Sequence, residues 1–582
     1  MISSLLSRIV RAAPLVATLA LAAGAAQAAT TTVKVIAFND FHGNLQSPGA
    51  FSTAAASGGI DALAGYVTQL KAQNPNNVVV SAGDVIGASP LVSALFHDEG
   101  TIETMNRLGL EFNAVGNHEF DEGSTELLRM QRGGCHPTDA SSCQGATVGT
   151  PVPFEGAKFK FLSANVVVTA TGKTLFPAYG VKVVGGVRMG FIGLTLKETP
   201  TIVTPSGVAG LEFRDEAQSI NAAVKQLRGL GVETIVVLIH QGGFQGPAPN
   251  NFINDCKSDL VSDANSPIRA IVRGLDDAVD VVVSGHTHTG YNCLLPNNVG
   301  RNIPVTQASS FGRVLTDISL TIDTSTGNVV SSTVNNIIVD RATVTPNAQI
   351  ASIVNAYSGL VSPLANAVIG TITGPATNGA NAAGEMGAGK LIADSQLAAT
   401  AAPQFGGAVV ALMNAGGVRS PGFVATTYPH DVTYGEAFTV QPFGNSLVTL
   451  TLTAQQLHDV LEQQFLGCLG QTATGRVMQV SSTLTYSYST SNACGSKVVE
   501  AAVSGIPFVS NGLVLNPAQT YRVTVNNFMA TGGDGFTVLT GGTDALGGAQ
   551  DIDALIAYLV SFKAPNAPYD PAAVANRITQ LP

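Results

Sequence analysis

The sequence predicts a two-part α/β protein, and three observations support this fold class. Between residues 33 and 345, short β-rich runs alternate with helical stretches, a pattern typical of layered α/β domains. Residues 346–368 have helical spacing, and a second set of predicted strands begins at about residue 369. The chain of 582 residues is too long for one hydrophobic core, so two or more domains are expected.

The predicted strands are runs of β-branched and aromatic residues bounded by turn residues. In the first part they are Val33–Phe38, Val78–Ser81, Phe112–Val115, Phe159–Ser163, Thr234–Ile239 and Val279–Ser284, with an added hairpin at Val181–Gly193. In the second part they are Val409–Met413, Ser446–Leu452 and Tyr521–Val525. The glycine-rich stretch 532–548 is predicted to be a loop.

The first 28 residues are predicted to be a secretion signal. Arg8 and Arg11 give a positive start, residues 14–23 are apolar but too short to span a bilayer permanently, and Ala26-Gln27-Ala28 is a small-residue cleavage site. No later run has membrane-spanning length. We therefore expect a soluble periplasmic or extracellular protein with domains at 29–345 and 369–582, joined by a connecting helix at 346–368.

Composition and charge narrow the class of partner. The chain is 45% hydrophobic and 12% charged, which suits a packed globular protein and argues against disorder. Its net charge of −10 disfavours a nucleic-acid polymer as partner, because phosphate backbones require basic surfaces. A small anion held by a metal ion or an arginine cluster remains compatible with this charge.

Six cysteines in an exported protein predict disulfides. Proximity along the chain favours the pairs Cys135–Cys143, Cys256–Cys293 and Cys468–Cys494 among the pairings that six cysteines allow. Their wide scatter and the absence of CxxC spacing argue against a cysteine metal site.

Five predicted strands run directly into Asp, Asn or His residues. The segments that follow them are Asn39-Asp40-Phe41-His42-Gly43, Asp84, Asn117-His118-Glu119-Phe120-Asp121, His240-Gln241 and His286-Thr287-His288-Thr289. Taken singly, each histidine is as well explained by a turn, a core position or a surface loop. Because ligands of open α/β sheets bind beyond the carboxyl ends of the strands, the five endings together predict one shared pocket.

The residue types in this pocket suit two divalent metal ions. Imidazole and carboxylate ligands favour zinc, manganese and related ions, and one carboxylate can bridge two of them. The candidate ligands are Asp40, His42, Asp84, Asn117, His240, His286 and His288. Seven ligands for two ions leave positions open for water and substrate, which indicates a catalytic site and not a structural one.

The motifs DxHG, GD, GNHEFD, a strand-end His and GHTHT occur in this order, and as a set they resemble the calcineurin-like metallophosphoesterases. The second part narrows this resemblance to the 5'-nucleotidase family, which includes periplasmic UDP-sugar hydrolases and ecto-5'-nucleotidases. The resemblance covers nearly all of the mature chain. The resemblance implies a four-layer α/β/β/α N-terminal domain, a connecting helix and an α/β nucleotide-binding C-terminal domain. It also implies a nucleotide or another small phosphoester as substrate.

The resemblance assigns roles to the strand-end residues. One ion would be held by Asp40, His42 and His288, the other by Asn117, His240 and His286, and Asp84 would bridge them. The ions would be zinc, manganese, cobalt or magnesium. His118 and Asp121 match the catalytic dyad of the family, although a carboxylate in the first turn of a helix also explains Asp121.

The second part also carries residues that match substrate contacts of the family. Asn414 and Arg419 lie in the loop 414-NAGGVR-419, Phe443 and Phe528 match two aromatics that sandwich a base, and Asp534 matches an acid that contacts the ribose. Without the resemblance, a glycine turn, a solvated arginine and two core phenylalanines would explain these residues.

The chain departs from its relatives between residues 384 and 394. Related sequences often carry an arginine before Glu385, where this chain has Gly384, and Lys390 stands where Asn is common. Arg419 is therefore expected to be the one clear arginine of the anion pocket. This departure leaves open the choice between nucleoside monophosphates and UDP-sugars.

We expect an exported hydrolase that releases phosphate from nucleotides by attack of a metal-bound hydroxide. The site would lie between the two domains, and hinge motion about residues 346–368 would close it. One alternative is a 2',3'-cyclic-nucleotide phosphodiesterase with 3'-nucleotidase activity on the same site. Another is a secreted binding or adhesion protein on an inactive scaffold, against which the intact ligand set argues. The sequence leaves the native metal, the preferred nucleotide and the oligomeric state open.

Overall fold

The computed structural model describes residues 29–203, 205–245, 252–263 and 266–582. The predicted secretion signal lies outside these ranges.

Strands and helices alternate along the first part. Its strands are β1 (Thr30–Phe38), β2 (Gly49–Phe51), β3 (Ala54–Ser57), β4 (Asn77–Ser81), β5 (Phe112–Ala114), β6 (Lys160–Leu162), β7 (Val166–Val168), β8 (Lys173–Thr174), β9 (Tyr179–Val184), β10 (Val187–Thr195), β11 (Leu211–Phe213), β12 (Thr234–His240), β13 (Val281–Ser284), β14 (Gly290–Pro296), β15 (Asn302–Ala308), β16 (Val314–Asp323) and β17 (Val329–Ile338). Its helices are α1 (Ile60–Gln73), α2 (Leu91–Ala94), α3 (Glu99–Leu108), α4 (Gly123–Arg132), α5 (Gly145–Val148), α6 (Glu216–Gly229), α7 (Asp259–Ser262), α8 (Pro267–Arg273) and α9 (Ala348–Ala365).

The second part has its own strands and helices. The strands are β18 (Val368–Ile372), β19 (Ala376–Thr377), β20 (Val410–Met413), β21 (Gly422–Phe423), β22 (His430–Thr433), β23 (Ser446–Thr453), β24 (Gln479–Val480), β25 (Leu484–Tyr488), β26 (Val498–Val503), β27 (Ile506–Ser510), β28 (Leu513–Val514), β29 (Thr520–Asn526), β30 (Thr543–Gln550) and β31 (Ile578–Gln580). The helices are α10 (Gly387–Thr400), α11 (Tyr434–Val440), α12 (Ala454–Glu462), α13 (Asn527–Ala530) and α14 (Asp551–Val560).

Two six-stranded sheets form the centre of the first part. Their strand orders are β17-β16-β1-β4-β5-β6 and β14-β15-β13-β12-β10-β9. Strands β1, β4, β5 and β6 are parallel, and so are β10, β12, β13 and β15. In both sheets, the parallel strands therefore end at a common edge.

The two sheets pack face to face, and helices cover their outer faces. Val35 and Val80 of the first sheet share one buried core with Val236 of the second. A second core joins the first sheet to α1, α3 and α4, and a third joins the second sheet to α6 and α8. Strands that are buried on both faces have nearly continuous apolar sequences, and β12 is an example. The predicted four-layer α/β/β/α arrangement is confirmed.

Helix α9 connects the two parts. The side chain of Asn347 accepts a hydrogen bond from the backbone N–H of Ile350 at 3.1 Å, so it caps the start of the helix. Ile350, Val354 and Tyr357 on one face are buried. Through this face α9 packs on α1, α2 and α3, and it also contacts α11 of the second part.

The second part is built on two five-stranded sheets with the orders β24-β20-β29-β23-β30 and β28-β27-β26-β25-β31. The prediction of a loop at 532–548 is wrong in its second half, because β30 pairs with β23 there. All eight residues of β30 are exposed. An exposed edge strand is held by backbone hydrogen bonds, so it requires no alternation of apolar residues that a sequence pattern could reveal.

The three predicted disulfides, Cys135–Cys143, Cys256–Cys293 and Cys468–Cys494, are all present. Among the residues that the structure describes, no helix is both long enough and apolar enough to cross a bilayer.

Candidate active site

The seven predicted metal ligands lie together where strands of both sheets end. They follow or close β1 (Asp40, His42), β4 (Asp84), β5 (Asn117), β12 (His240) and β13 (His286, His288). The first five are buried, and the two histidines after β13 are partly exposed. Because the two sheets stack with their ligand-bearing edges side by side, ligands from both sheets enter one pocket.

Left-handed backbone geometry is concentrated at these ligands. The φ angles of five of them are positive: Asp40 (49°), His42 (47°), Asp84 (51°), His286 (73°) and His288 (58°). Residues with a Cβ rarely adopt this conformation, and it persists where the surrounding structure imposes it, often at functional sites. The sharp turns aim the side chains that follow each strand into the pocket.

The ligand atoms form two neighbouring groups. In the first, His42 Nε2 lies 3.1 Å from His288 Nε2, and Asp40 Oδ1 lies 3.3 Å from His288 Nε2. In the second, His286 Nδ1 lies 3.0 Å from Asn117 Oδ1, and the ring centroids of His286 and His240 are 5.4 Å apart.

Asp84 lies between the two groups. Its Oδ2 is 3.6 Å from His42 Nε2 of the first group and 2.9 Å from His240 Nε2 of the second. One carboxylate within reach of histidines from both groups is what a bridging ligand requires.

The imidazoles of His42 and His240 have the tautomer that binds a metal. His42 Nδ1 donates to the carbonyl of Gly87 and His240 Nδ1 to the carbonyl of Ala82, both at 2.8 Å. Because these protons are on Nδ1, each Nε2 can present a lone pair to the pocket. His240 Nε2 is buried and makes no well-aligned hydrogen bond within the described residues, although Asp84 Oδ2 lies 2.9 Å away. The donor set therefore fits divalent cations bound by nitrogen and oxygen.

The charges of the pocket also favour a cation. Although burial alone raises the pKa of Asp84, the nearby His240 and His118 hold it well below its usual range. Burial alone lowers the pKa of His240, but the carboxylates of Asp84 and Asp40 raise it to about 10, so they favour a positive charge at this ring, which a bound metal ion would supply in place of the Nε2 proton. Burial and the neighbouring His240 lower the pKa of His286 to about 3, which leaves that ring neutral and able to ligate.

Two residues that support the ligands were missed by the sequence analysis. Glu119 is buried, and its carboxylate accepts hydrogen bonds from the backbone N–H groups of Asp84 (2.9 Å), Val85 (2.9 Å) and Gly116 (2.6 Å). Asn39 Nδ2 donates to Asp40 Oδ2 at 2.6 Å. Both lie beside ligands within the quoted motifs, but the motifs do not reveal that these side chains hold the ligand loops.

Gly116 shows how tightly the loops after β4 and β5 approach each other. A Cβ at this position would lie 2.1 Å from Asp84 Oδ1 and 2.8 Å from Glu119 Oε2. No side chain fits there, so the glycine of the GNH motif is required by the close approach of the carboxylates.

His118 and Asp121 form the predicted dyad. His118 Nδ1 lies 2.9 Å from Asp121 Oδ2, which also accepts the backbone N–H of Ala88 at 2.9 Å. Burial alone would lower the pKa of His118, but the carboxylates of Asp121 and Asp84 raise it above its ordinary value. The backbone N–H of His118 donates to Asp84 Oδ1 at 2.9 Å, and its side chain is absent from the two ligand clusters Asp40/His42/His288 and Asp40/Asp84/His240 of the described residues.

A cavity of about 240 Å³ lies over the ligands, and residues of both parts line it. Its lining residues are Asp84, His118, Phe244, His286, Thr287, His288 and Arg419. Arg419 comes from the C-terminal part and is partly buried near the carboxylates of the site, and removal from water lowers its pKa. Phe443 stacks on the imidazole of His118 with ring centroids 5.7 Å apart, and Arg419 Cζ lies 5.6 Å from the Phe443 ring. The structure thus brings Arg419 and Phe443 to the N-terminal site.

The other predicted substrate residues form a second group. Asn414 Nδ2 donates to Asp534 Oδ2 at 2.7 Å. The ring of Phe528 covers Gly533. A Cβ added at Gly533 would lie 2.5 Å from this ring. In the described part of the chain, the rings of Phe443 and Phe528 do not touch each other.

Two further charged groups lie near the predicted substrate residues. Arg476 Nη1 lies 2.8 Å from Asp534 Oδ1, whereas Arg419 is the arginine that lines the cavity over the ligands. Glu385, in the departing stretch 384–394, is buried and accepts the backbone N–H of Arg577 at 2.8 Å. Lys390 Nζ donates to the carbonyl of Val574, so this stretch anchors the end of the chain.

Comparison with known families matches both parts of the chain. Residues 33–290 match the calcineurin-like phosphoesterase family, and residues 368–541 match the 5'-nucleotidase C-terminal domain. The chain is 27% identical to the crystal structure of a 5'-nucleotidase precursor from Thermus thermophilus, with a TM-score of 0.73 and coverage of 95% of this chain and 99% of that one.

Two bacterial relatives extend the comparison. The cell wall protein Lmo0130 of Listeria monocytogenes is 31% identical over 565 residues, which cover 93% of this chain and 68% of that protein. Endonuclease YhcR of Bacillus subtilis is 30% identical over 543 residues, which cover 92% of this chain but 40% of that protein. The chain thus spans less than half the length of that larger relative. From its two matched domains and its relatives, the chain belongs to the 5'-nucleotidase family of metal-dependent phosphoester hydrolases.

Proposed function

We propose that this protein releases phosphate from nucleoside 5'-monophosphates with the help of two divalent metal ions. The observation that carries the proposal is that Arg419 and Phe443 of the C-terminal part meet His118 and Asp84 at one cavity. A guanidinium suits a phosphate, and an aromatic ring suits a base. A substrate with both groups would engage both parts of the chain.

The N-terminal residues divide into two ligand sets. Asp40, His42 and His288 would hold one ion, Asn117, His240 and His286 would hold the other, and Asp84 would serve both. When bound, such ions lower the pKa of a bound water and polarise phosphoryl oxygens. Glu119 and Asn39 keep the carboxylates of Asp84 and Asp40 in place through hydrogen bonds.

His118 supplies a proton on the leaving side of the reaction. Since Asp121 accepts the Nδ1 proton, Nε2 is left for the cavity that His118 lines. Although burial lowers the pKa of His118, the carboxylates of Asp121 and Asp84 raise it, which favours the protonated ring whose Nε2–H can donate to the phosphoryl group or to the leaving oxygen.

We infer that the described conformation is a closed one. Its cavity of about 240 Å³ is smaller than the roughly 300–1,000 Å³ typical of small-molecule sites, and Phe443 is stacked on His118. A base can stack on both Phe443 and Phe528 after the two parts separate. Helix α9, which contacts both parts, is the proposed hinge.

Export of the protein is part of the proposal. The first 28 residues have the composition of a secretion signal, and three disulfides suit an oxidising compartment. Periplasmic extraction or secretion of the tagged chain, followed by sequencing of its N-terminus, tests export and cleavage after Ala28.

Phosphate release is the decisive measurement for activity. AMP, UDP-glucose, 3'-AMP and 2',3'-cyclic AMP are each assayed with added Mn²⁺, Zn²⁺ or Co²⁺. We expect phosphate from AMP. Faster turnover of 3'-AMP and cyclic AMP would replace the proposal with the 3'-nucleotidase alternative. Metal binding without turnover of any of the four would favour a binding protein.

A further inference from the structure

Phe311, which follows the end of β15, contacts all three residues of the first ligand group. Its backbone N–H donates to the carbonyl of Asp40 at 2.7 Å. Its ring centroid lies 5.8 Å from that of His42, with 65° between the planes, and 5.3 Å from that of His288, with 75° between the planes. Both are edge-to-face arrangements at distances typical of favourable ring contacts. One phenyl ring therefore packs on both histidines of this group.

The loop that carries Phe311 is tied to the segments that carry the ligands. Asn39 Nδ2 donates to the carbonyl of Ser309 at 2.7 Å, and Ser309 Oγ donates to the carbonyl of His288 at 3.3 Å. Ser309 and Phe311 both have a left-handed backbone, with φ angles of 55° and 62°. Residues with a Cβ keep this conformation where the surrounding structure imposes it, often at functional sites. The position of the Phe311 ring is therefore set by the ligand loops themselves.

A guanidinium also packs on the Phe311 ring. Arg313 Cζ lies 4.8 Å from the ring centroid of Phe311 and 5.1 Å from that of Phe51. Arg313 Nε donates to the carbonyl of Ser310 at 3.2 Å, and Nη2 lies 3.1 Å from the Ser310 hydroxyl. A cation at this distance is attracted to an aromatic ring. The ring is therefore held between the imidazoles and a guanidinium that its own loop anchors.

His288 depends on this packing more than His42 or His240 does. Those two histidines donate from Nδ1 to backbone carbonyls, the usual support that orients a ligating ring. His288 directs Nε2 toward His42 and Asp40, and within the described residues its Nδ1 has no such hydrogen bond. The side chain of His288 is also 30% exposed, whereas that of His42 is fully buried. The ring of Phe311 is thus the contact placed to orient His288.

We propose that Phe311 is a positioning residue that holds the rings of His42 and His288 in the orientation in which they bind one of the two metal ions. This inference rests on the ligand sets of the proposed function. A ring without this support would have to be ordered when the ion binds, and that entropic cost lowers the affinity for the ion. Within the described residues the Phe311 ring packs on the histidines of the first group and not on His240 or His286. Its loss should therefore affect one ion and spare the other.

Metal binding by the full chain tests the inference without any substrate. Metal-free protein is titrated with Mn²⁺, and the ions bound per chain are counted by mass spectrometry of the intact protein. The wild type should bind two ions. In Phe311→Leu, one ion should bind about 10–100-fold more weakly, the range typical of lost support behind a metal ligand. Phe311→Tyr keeps the ring and should keep both affinities. Phe51→Leu is the matched control and should also keep both, because Phe51 contacts Arg313 and no ligand ring in the described part of the chain.

Variants that lack one ligand histidine assign the effect to one ion. In His288→Ala, which lacks a ligand of the first ion, adding Phe311→Leu should change the affinity of the remaining ion by less than about twofold. In His286→Ala, which lacks a ligand of the second ion, adding Phe311→Leu should weaken the remaining ion by the full 10–100-fold or about that. A merely structural role of Phe311 would give the same loss in both backgrounds.

Several results would overturn the inference. They are equal weakening of both ions in Phe311→Leu, wild-type affinities in that variant, and the same loss in the Phe51→Leu control. If Phe311→Leu does not fold, Phe311→Met decides in its place, since methionine fills irregular apolar space without a ring. Two ions bound without hydrolysis of AMP would contradict the proposed activity and leave the inference standing. A wild-type chain that binds no ion would contradict both.

Discussion

The phenyl ring of Phe443 lies nearly parallel to the imidazole of His118, with 5.7 Å between ring centroids and 13° between planes. His118 belongs to the N-terminal part and Phe443 to the C-terminal part. The contact therefore joins the residue proposed to carry the leaving-group proton to a residue proposed to stack the base. Separation of the two parts would break this contact and free Phe443 for substrate.

This contact predicts that replacing Phe443 and replacing Phe528 by alanine have different effects on catalysis. Phe528→Ala should weaken AMP binding about ten- to hundredfold, which corresponds to the roughly 1–3 kcal/mol of one stacking contact. Hydrolysis of glycerol phosphate should hardly change, since Phe528 lies over Gly533 and not on His118. Phe443→Ala should weaken AMP binding and also alter turnover of glycerol phosphate. Steady-state kinetics on both substrates measures this difference.

Melting curves provide the control for the two phenylalanine variants. A large drop in Tm of Phe528→Ala, with equal losses on both substrates, would identify Phe528 as an ordinary core residue. Unchanged glycerol phosphate turnover in Phe443→Ala would mean that the stacked ring does not influence His118.

His118→Ala should lower turnover of AMP about 10²–10⁴-fold while the metal content stays at the wild-type level. The reason is that His118 hydrogen-bonds Asp121 and lies beside, not within, the ligand groups. Elemental analysis of the purified variant accompanies the kinetics. Loss of a metal ion would reassign His118 as a ligand.

Chelation should abolish hydrolysis, and Asp84→Ala should prevent binding of the two metal ions. Asp84 Oδ2 lies near histidines of both groups, so its removal affects both ions. Metal content per chain, measured by mass spectrometry of the intact protein, checks the prediction. Full activity in excess EDTA, or two ions retained in the variant, contradicts the two-ion assignment.

Glu119→Gln should weaken metal affinity about 10–100-fold, as loss of support behind a metal ligand typically does. The glutamine amide has one acceptor oxygen in place of two, so it cannot accept all the backbone N–H groups that hold the loop of Asp84. Glu122→Gln is the control, because Glu122 contacts His97 and not this loop. Equal metal affinities in the two variants would show that Glu119 does not support the site.

His97 should make stability depend on alkaline pH. Hydrogen bonds to Glu122 (2.6 Å) and Asp139 (3.0 Å) outweigh burial and raise the pKa of His97 to about 9. Because the folded-state pKa exceeds the unfolded value of about 6.5, the stabilisation is complete below pH 6.5 and is lost as the pH rises through 9. Its size is about 1 kcal/mol, since both carboxylates are partly exposed and screened.

Melting temperatures of the wild type and of His97→Asn test this pH dependence. Asparagine tolerates the left-handed backbone at this position, where φ is 52°. The wild type should melt higher at pH 6, and the gap should close by about pH 10. A gap that is the same at both pH values would show that charge on His97 does not contribute.

Local patterns of the sequence were sufficient for much of the fold and of the candidate site. Continuous apolar runs such as β12 identify buried strands, and the polar residues that follow them identify the ligands. Proximity along the chain was also enough to pair Cys135 with Cys143, because a short loop has a low entropic cost of closure. These features depend on neighbours in the chain.

Contacts between distant segments were decided by the tertiary structure. The support of Asp84 by Glu119, the pairing of Arg476 with Asp534, the stacking of Phe443 on His118 and the anchoring of Glu385 to Arg577 leave no periodic signal in the sequence. Strand β30, with every residue exposed, is held by backbone hydrogen bonds to β23. Periodicity reports which side of a strand or helix is buried, whereas the identity of the contacting residue depends on how the sheets and the two parts pack.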